Sequence, residues 1–230
     1  MNKLKTFVVK QLAKRNIYVS RKFHQNDFTL YRRIQSALMK QSEGVLHIGA
    51  HLAQEADFYE ENGRSVLWIE ANPKIYDELL IRLELFPQQR AICALLGDED
   101  NDEAIFYIAN NEGASSSVFN FFDKTSSQVK MVETVNLNMR RLDSILSTDE
   151  IATFNFWVID VQGAELKVLQ GAGNLLELAN TIVIEVKRVN DYLGGVDWID
   201  LDTFLTDKGF FHLWEPATDT EDNIIYVRAK

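Results

Sequence analysis

The chain has 230 residues, 46% of them hydrophobic and 25% charged, enough for one sizeable core. Its net charge of −10 is uneven: residues 1–40 carry ten basic and one acidic side chain, the remainder 14 basic and 33 acidic. An acidic body argues against nucleic-acid binding, and no run reaches the roughly 20 apolar residues of a membrane span.

In chain order, Leu4, Phe7, Val8 and Leu12 recur at helical spacing among lysines and predict an amphipathic basic helix. No secretory leader pattern precedes them, so the cytoplasm is the expected location. Asn26-Asp27 reads as the cap of a second helix with Leu30, Tyr31, Ile34 and Leu38 on one stripe. Residues 1–43 thus form a basic N-terminal helical extension, expected on the edge or top of the sheet that follows and a candidate lid. Residues 1–40 are also a candidate for weak contact with a membrane surface, although a solvated or self-docked charged face explains the same pattern.

Residues 44–230 are expected to form the main domain. Strands at 44–48, 66–70 and 91–96 alternate with helices at 52–62 and from Pro73 onward. Cys93, the only cysteine, lies in the third apolar run and reads as a core residue in a reducing compartment. An antiparallel excursion follows, with strands at 104–109 and 134–137. Alternation resumes with a strand at 154–160, an interrupted helix at 165–178, a strand at 181–186 and a helix at 197–208. Strands at 210–214 and 224–227 close the chain as a hairpin. The pattern implies an α/β fold: a mainly parallel seven-stranded sheet with a C-terminal antiparallel hairpin and helices on both faces.

In such sheets ligands sit beyond the carboxyl ends of the strands. His47, Glu70, Leu95, Asp160 and Glu185 hold those positions, and four of the five are polar. The run into Gly49-Ala50-His51, with Glu70 21 positions after the glycine, is the layout that cups a nucleoside, the carboxylate taking the ribose hydroxyls. One glycine instead of three disfavours a pyrophosphate, so S-adenosyl-L-methionine fits better than NAD. Cofactor-binding candidates are His47, Gly49, His51, Glu70, Ala71, Asn72, Leu95 and Asp160. No His/Cys cluster has zinc spacing; Asp160, Gln162 and Glu185 could in principle meet around a magnesium ion, but spacing alone does not show it, and no metal is expected.

From about residue 45 to 211 the sequence resembles the FkbM family of S-adenosylmethionine-dependent methyltransferases. Asp160-Val161-Gln162-Gly163-Ala164-Glu165 and Leu169-Gln170-Gly171-Ala172 resemble the family signature Asp-x-Glu-Gly-x-Glu-x-x-x-Leu-x-Gly-Ala. Ile48-Gly49-Ala50-His51, Ile69-Glu70-Ala71-Asn72-Pro73, Gly113–Ser117 and Arg141-Leu142-Asp143 resemble further landmarks. His47, Ala53 and Gln162 depart from it, standing where an acidic or amide residue, a glycine and a glutamate are usual. The resemblance implies a Rossmann-like class I methyltransferase fold and O-methylation of a sugar, glycan or secondary metabolite. Asp160 is then the first candidate for general base, with Glu165, Glu185 and His47 behind it. Two rival readings are a catalytically inactive binding protein on the same fold and an NAD-dependent oxidoreductase.

Overall fold

The computed structural model describes residues 28–122, 128–186, 191–216 and 222–229. The first expected helix lies outside them, as do residues 1–27 of the segment expected to contact a membrane surface. Helix α1 (Phe28–Met39) leads into β1 (Gly44–Ile48), then α2 (Ala56–Glu61), β2 (Ser65–Glu70), α3 (Pro73–Leu83) and β3 (Gln89–Cys93). Next come β4 (Leu95–Leu96), β5 (Asn101–Ala109) and β6 (Met131–Arg140), followed by short helices α4 (Leu142–Ile145) and α5 (Thr148–Ile151). The rest is β7 (Phe156–Ile159), α6 (Glu165–Gly171), a 3-10 helix (Gly173–Leu178), β8 (Thr181–Val186), α7 (Trp198–Asp207), β9 (Phe210–His212) and β10 (Asp222–Arg228).

Seven strands make one sheet in the order β3-β2-β1-β7-β8-β10-β9. The first five run parallel, and β10 lies antiparallel to both β8 and β9. The central strands are covered on both faces, which is why they read as unbroken apolar runs. Leu46, Trp68, Phe156, Trp157, Ile182 and Ile184 are fully buried. Helix α1 adds Ile34, Leu38 and Met39 to that core, with Leu30 and Tyr31 packed against it half-buried, as the stripe predicts. Among the described residues, no helix is long and apolar enough to cross a membrane.

Four elements differ from expectation. The third apolar run is two strands: β3 stays beside β2, while Leu95–Leu96 leaves to pair with β6 in a second sheet of order β4-β6-β5. The β5–β6 ribbon is longer than its hydrophobic pattern, because most of β6 is solvent-exposed or half-exposed and needs no alternation. The helix expected from 52 starts at Ala56, since His51 (φ 44°) and Ala53 (φ 49°) hold left-handed backbone that a right-handed helix cannot include. Cys93 is exposed rather than in the core, because it ends the edge strand of the sheet.

Candidate functional site

Three strand ends are stitched together. Gly49 and Ala50 both donate backbone N–H bonds to the Ile69 carbonyl (2.9 and 3.0 Å), and Asp160 N–H donates to the Ile48 carbonyl at 3.0 Å. Gly49 has φ 88°, and a Cβ there would fall on the Asp160 carbonyl. Only glycine satisfies both demands.

Glu70, 7% exposed, ends β2. Its Oε2 accepts from His51 N–H at 2.8 Å and its Oε1 from Asn72 N–H at 2.7 Å. Each oxygen retains acceptor capacity beyond that bond. Burial pushes the carboxyl pKa above its ordinary range, and the two backbone donors oppose the shift. The His51 ring lies 3.0 Å (Nε2) from the Glu112 carbonyl and 2.8 Å (Nδ1) from the Gln54 amide nitrogen. A carbonyl can only accept, so Nε2 carries the proton, and His51 ties the Gly49 turn to the loop after β5.

His47 points into the fold from β1. Its ring stacks on Trp68 with centroids 4.5 Å apart, and Nδ1 lies 2.9 Å from the Tyr59 hydroxyl. Burial pushes its pKa down to about 4, so the ring is neutral at neutral pH.

Beyond β7, the Gln162 amide sits at the centre of a polar node. Its Nε2 donates to Asp160 Oδ1 (2.7 Å) and to Glu185 Oε2 (2.9 Å). Its Oε1 accepts from the Tyr192 hydroxyl at 2.7 Å, and its main-chain oxygen from Ser117 Oγ at 2.7 Å. A glutamate here would set a third carboxylate against two others; the amide supplies the donor that both need. Asp160, Gln162 and Glu185 thus converge, and among the described residues no group of three His, Cys, Asp or Glu is placed to hold a metal ion.

Glu165, beside this node, bonds back to its own loop. Its Oε1 accepts from Val161 N–H (3.2 Å) and Gly163 N–H (3.0 Å), clamping the loop that carries Gln162. Burial pushes its pKa up to about 7, against the pull of those backbone donors.

One cleft of about 450 Å³ is lined by His47, Gly49, His51, Glu70, Ala71, Leu95 and Asp160 together. Asn72 is outside its lining; the Asn72 side chain caps α3 by accepting from Lys74 N–H at 3.1 Å. Glu165 and Glu185 border a smaller pocket of about 30 Å³ instead. Sequence reasoning missed Tyr31, Arg32, Gln35, Tyr59 and Asn223, which also line the large cleft. For Gln35 a signal existed: it interrupts the apolar stripe of α1 four residues after Tyr31.

A family model described as the methyltransferase FkbM domain matches residues 47–211. No curated protein matches the chain. Among solved structures, an uncharacterized protein from Listeria monocytogenes serotype 4b is similar at TM-score 0.51 and 8% identity, over 87% of this chain and 67% of that one. M. capricolum TrmK, in complex with S-adenosyl-homocysteine, is similar at TM-score 0.47 and 11% identity, over 90% and 70%. An rRNA methylase from Streptococcus thermophilus is similar at TM-score 0.46 and 7% identity, over 86% and 96%. At such identities the likeness is one of fold alone. The family match covers most of the chain and spans both the Gly49 turn and the Gln162 node, and the sheet has the class I methyltransferase form; this chain belongs to the FkbM family of methyltransferases.

Proposed function

We propose that the chain transfers a methyl group from S-adenosylmethionine to a hydroxyl oxygen of a sugar, glycan or small metabolite. The observation that carries this reading is the shared cleft: Glu70 and Asp160, 90 residues apart, face one cavity of a size suited to a nucleoside cofactor. The residues fit that cofactor. Glu70 keeps acceptor capacity for two ribose hydroxyls, Leu95 and Ala71 offer apolar surface, and the neutral His47 ring sets no positive charge against a sulfonium. When bound, S-adenosylmethionine supplies an electrophilic methyl group.

The remaining work belongs to the protein. Acceptor oxygen and methyl carbon must be held in line at near contact, which is worth more than any single proton transfer. Asp160, at the end of β7 with Oδ1 fixed by Gln162, takes the hydroxyl proton. Gln162 and Glu165 position that loop without receiving the proton themselves. Acidic composition beyond residue 40 supports a small or glycan acceptor over RNA. The exposed, unpaired Cys93 suits the reducing cytoplasm.

The test is a screen of sugars, nucleotide-sugars and RNA with isotope-labelled methyl donor, read by mass spectrometry, followed by Asp160→Asn on the acceptor found. We expect kcat to fall by about 10²–10⁴-fold with S-adenosylhomocysteine affinity unchanged in calorimetry. Full turnover by the variant overturns the base assignment, and methylated RNA alone overturns the acceptor class.

A further inference from the structure

The loop after β5 and the loop between β8 and α7 pair as a two-stranded clip against the Gln162 node. Phe121 and Tyr192 face each other across an antiparallel bridge, their rings 4.9 Å apart. Phe122 N–H donates to the Asp191 carbonyl at 3.0 Å, and Leu193 N–H to the Asn120 carbonyl at 2.7 Å. The first loop is anchored to β5, because Ser117 and Tyr107 exchange backbone bonds of 2.8 and 3.0 Å. The second presses on the loop after β7: a Cβ on Gly163, at φ 97°, would fall 2.9 Å from the Tyr192 ring.

Each loop of the clip holds Gln162 by one oxygen. Ser117 Oγ donates to its main-chain oxygen and the Tyr192 hydroxyl to its Oε1, both at 2.7 Å. The residue so held is strained. Its φ of 55° is left-handed backbone, which costs a residue with a Cβ about 1–2 kcal/mol and persists only where the surroundings over-determine it. Resting on the methyl-transfer reading above, we infer that Tyr192 is a positioning residue for the base, holding Gln162 so that its amide keeps Asp160 Oδ1 in place for the acceptor hydroxyl. Both amide protons of Gln162 go to Asp160 and Glu185, so Oε1 is the one side-chain atom through which another group can hold it. A donor on that oxygen also polarises the amide toward its two acceptors and tightens both bonds. The base is thus set by three separate segments, after β5, β7 and β8.

The test is Tyr192→Phe, which keeps the ring against Gly163 and removes the hydroxyl. It is assayed in the full chain on the acceptor found in the screen above, alone and combined with Asp160→Asn. We expect kcat to fall about 3–10-fold, the worth of one neutral hydrogen bond, with the KM for S-adenosylmethionine unchanged. Ser117→Ala, which frees the other oxygen of Gln162, should lower kcat in the same way. In the Asp160→Asn background Tyr192→Phe should change kcat by less than about twofold, because a residue acting through Asp160 has nothing left to position. By NMR of glutamine-labelled protein, which needs no acceptor, the Gln162 side-chain amide protons should exchange with water about 3–10-fold faster in Tyr192→Phe. Unchanged kcat, or an equal loss in both backgrounds, overturns the role of Tyr192 while leaving methyl transfer intact. Unchanged amide exchange overturns Gln162 as its route. A wild-type chain that methylates nothing in the screen overturns the functional reading itself, and this inference with it.

Discussion

At the residue scale, Gly49 shows how one side chain's absence sets the site. The turn after β1 needs φ 88° and has to pass against the Asp160 carbonyl. A methyl group fails on both counts, through left-handed strain of about 1–2 kcal/mol and a collision with backbone that is itself hydrogen-bonded. Gly49→Ala should therefore push the ends of β1 and β7 apart. We expect a loss of several kcal/mol in urea unfolding together with loss of S-adenosylhomocysteine binding. Wild-type stability in this variant would mean that the turn is slack and that the close approach of the two strand ends is unimportant.

Elements were legible wherever burial on both faces wrote an apolar run, as in β1, β2, β7 and β8. They were illegible where the backbone left the expected path. Nothing in Ala91–Leu96 marks the change of sheet at Ala94, whose N–H is taken by the Glu70 carbonyl at 2.9 Å. The cleft's lining was legible in the same measure. Strand-end positions brought Glu70 and Asp160 to one cleft, as expected, but spacing could not tell that Glu165 bonds back to its own loop or that Asn72 serves α3. Long-range partners decide those orientations. The His51 bridge is another such partner, joining the Gly49 turn to the β5–β6 ribbon through Glu112. His51→Ala should cost about 1 kcal/mol and raise amide exchange at 110–117 more than in β1. Unchanged exchange there would show that the ribbon is held by other contacts, such as Ser117 to Gln162.

For the molecule as a whole, two buried titratable groups act on stability in opposite directions. Glu165, 6% exposed, has its pKa raised from 4.5 to about 7, so the folded state binds more protons than the unfolded state between those values. Its contribution is complete below pH 4.5 and is lost as pH rises through 7. His47 has its pKa lowered from 6.5 to about 4, so its contribution is present above 6.5 and is lost as pH falls through 4. Between 4.5 and 6.5 the two slopes nearly cancel, which gives a flat response that neither group has alone. Glu165→Gln removes one side while keeping an acceptor for Val161 and Gly163. The variant should match wild type at pH 4 and exceed it at pH 8 by up to about 3 kcal/mol, measured by urea unfolding at both values. It should also keep its methyl-transfer rate, because Glu165 orders the loop and takes no proton from the acceptor. An equal stability difference at both pH values would show that the carboxyl group titrates alike in the folded and unfolded chains, so that burial imposes no net cost on its charge.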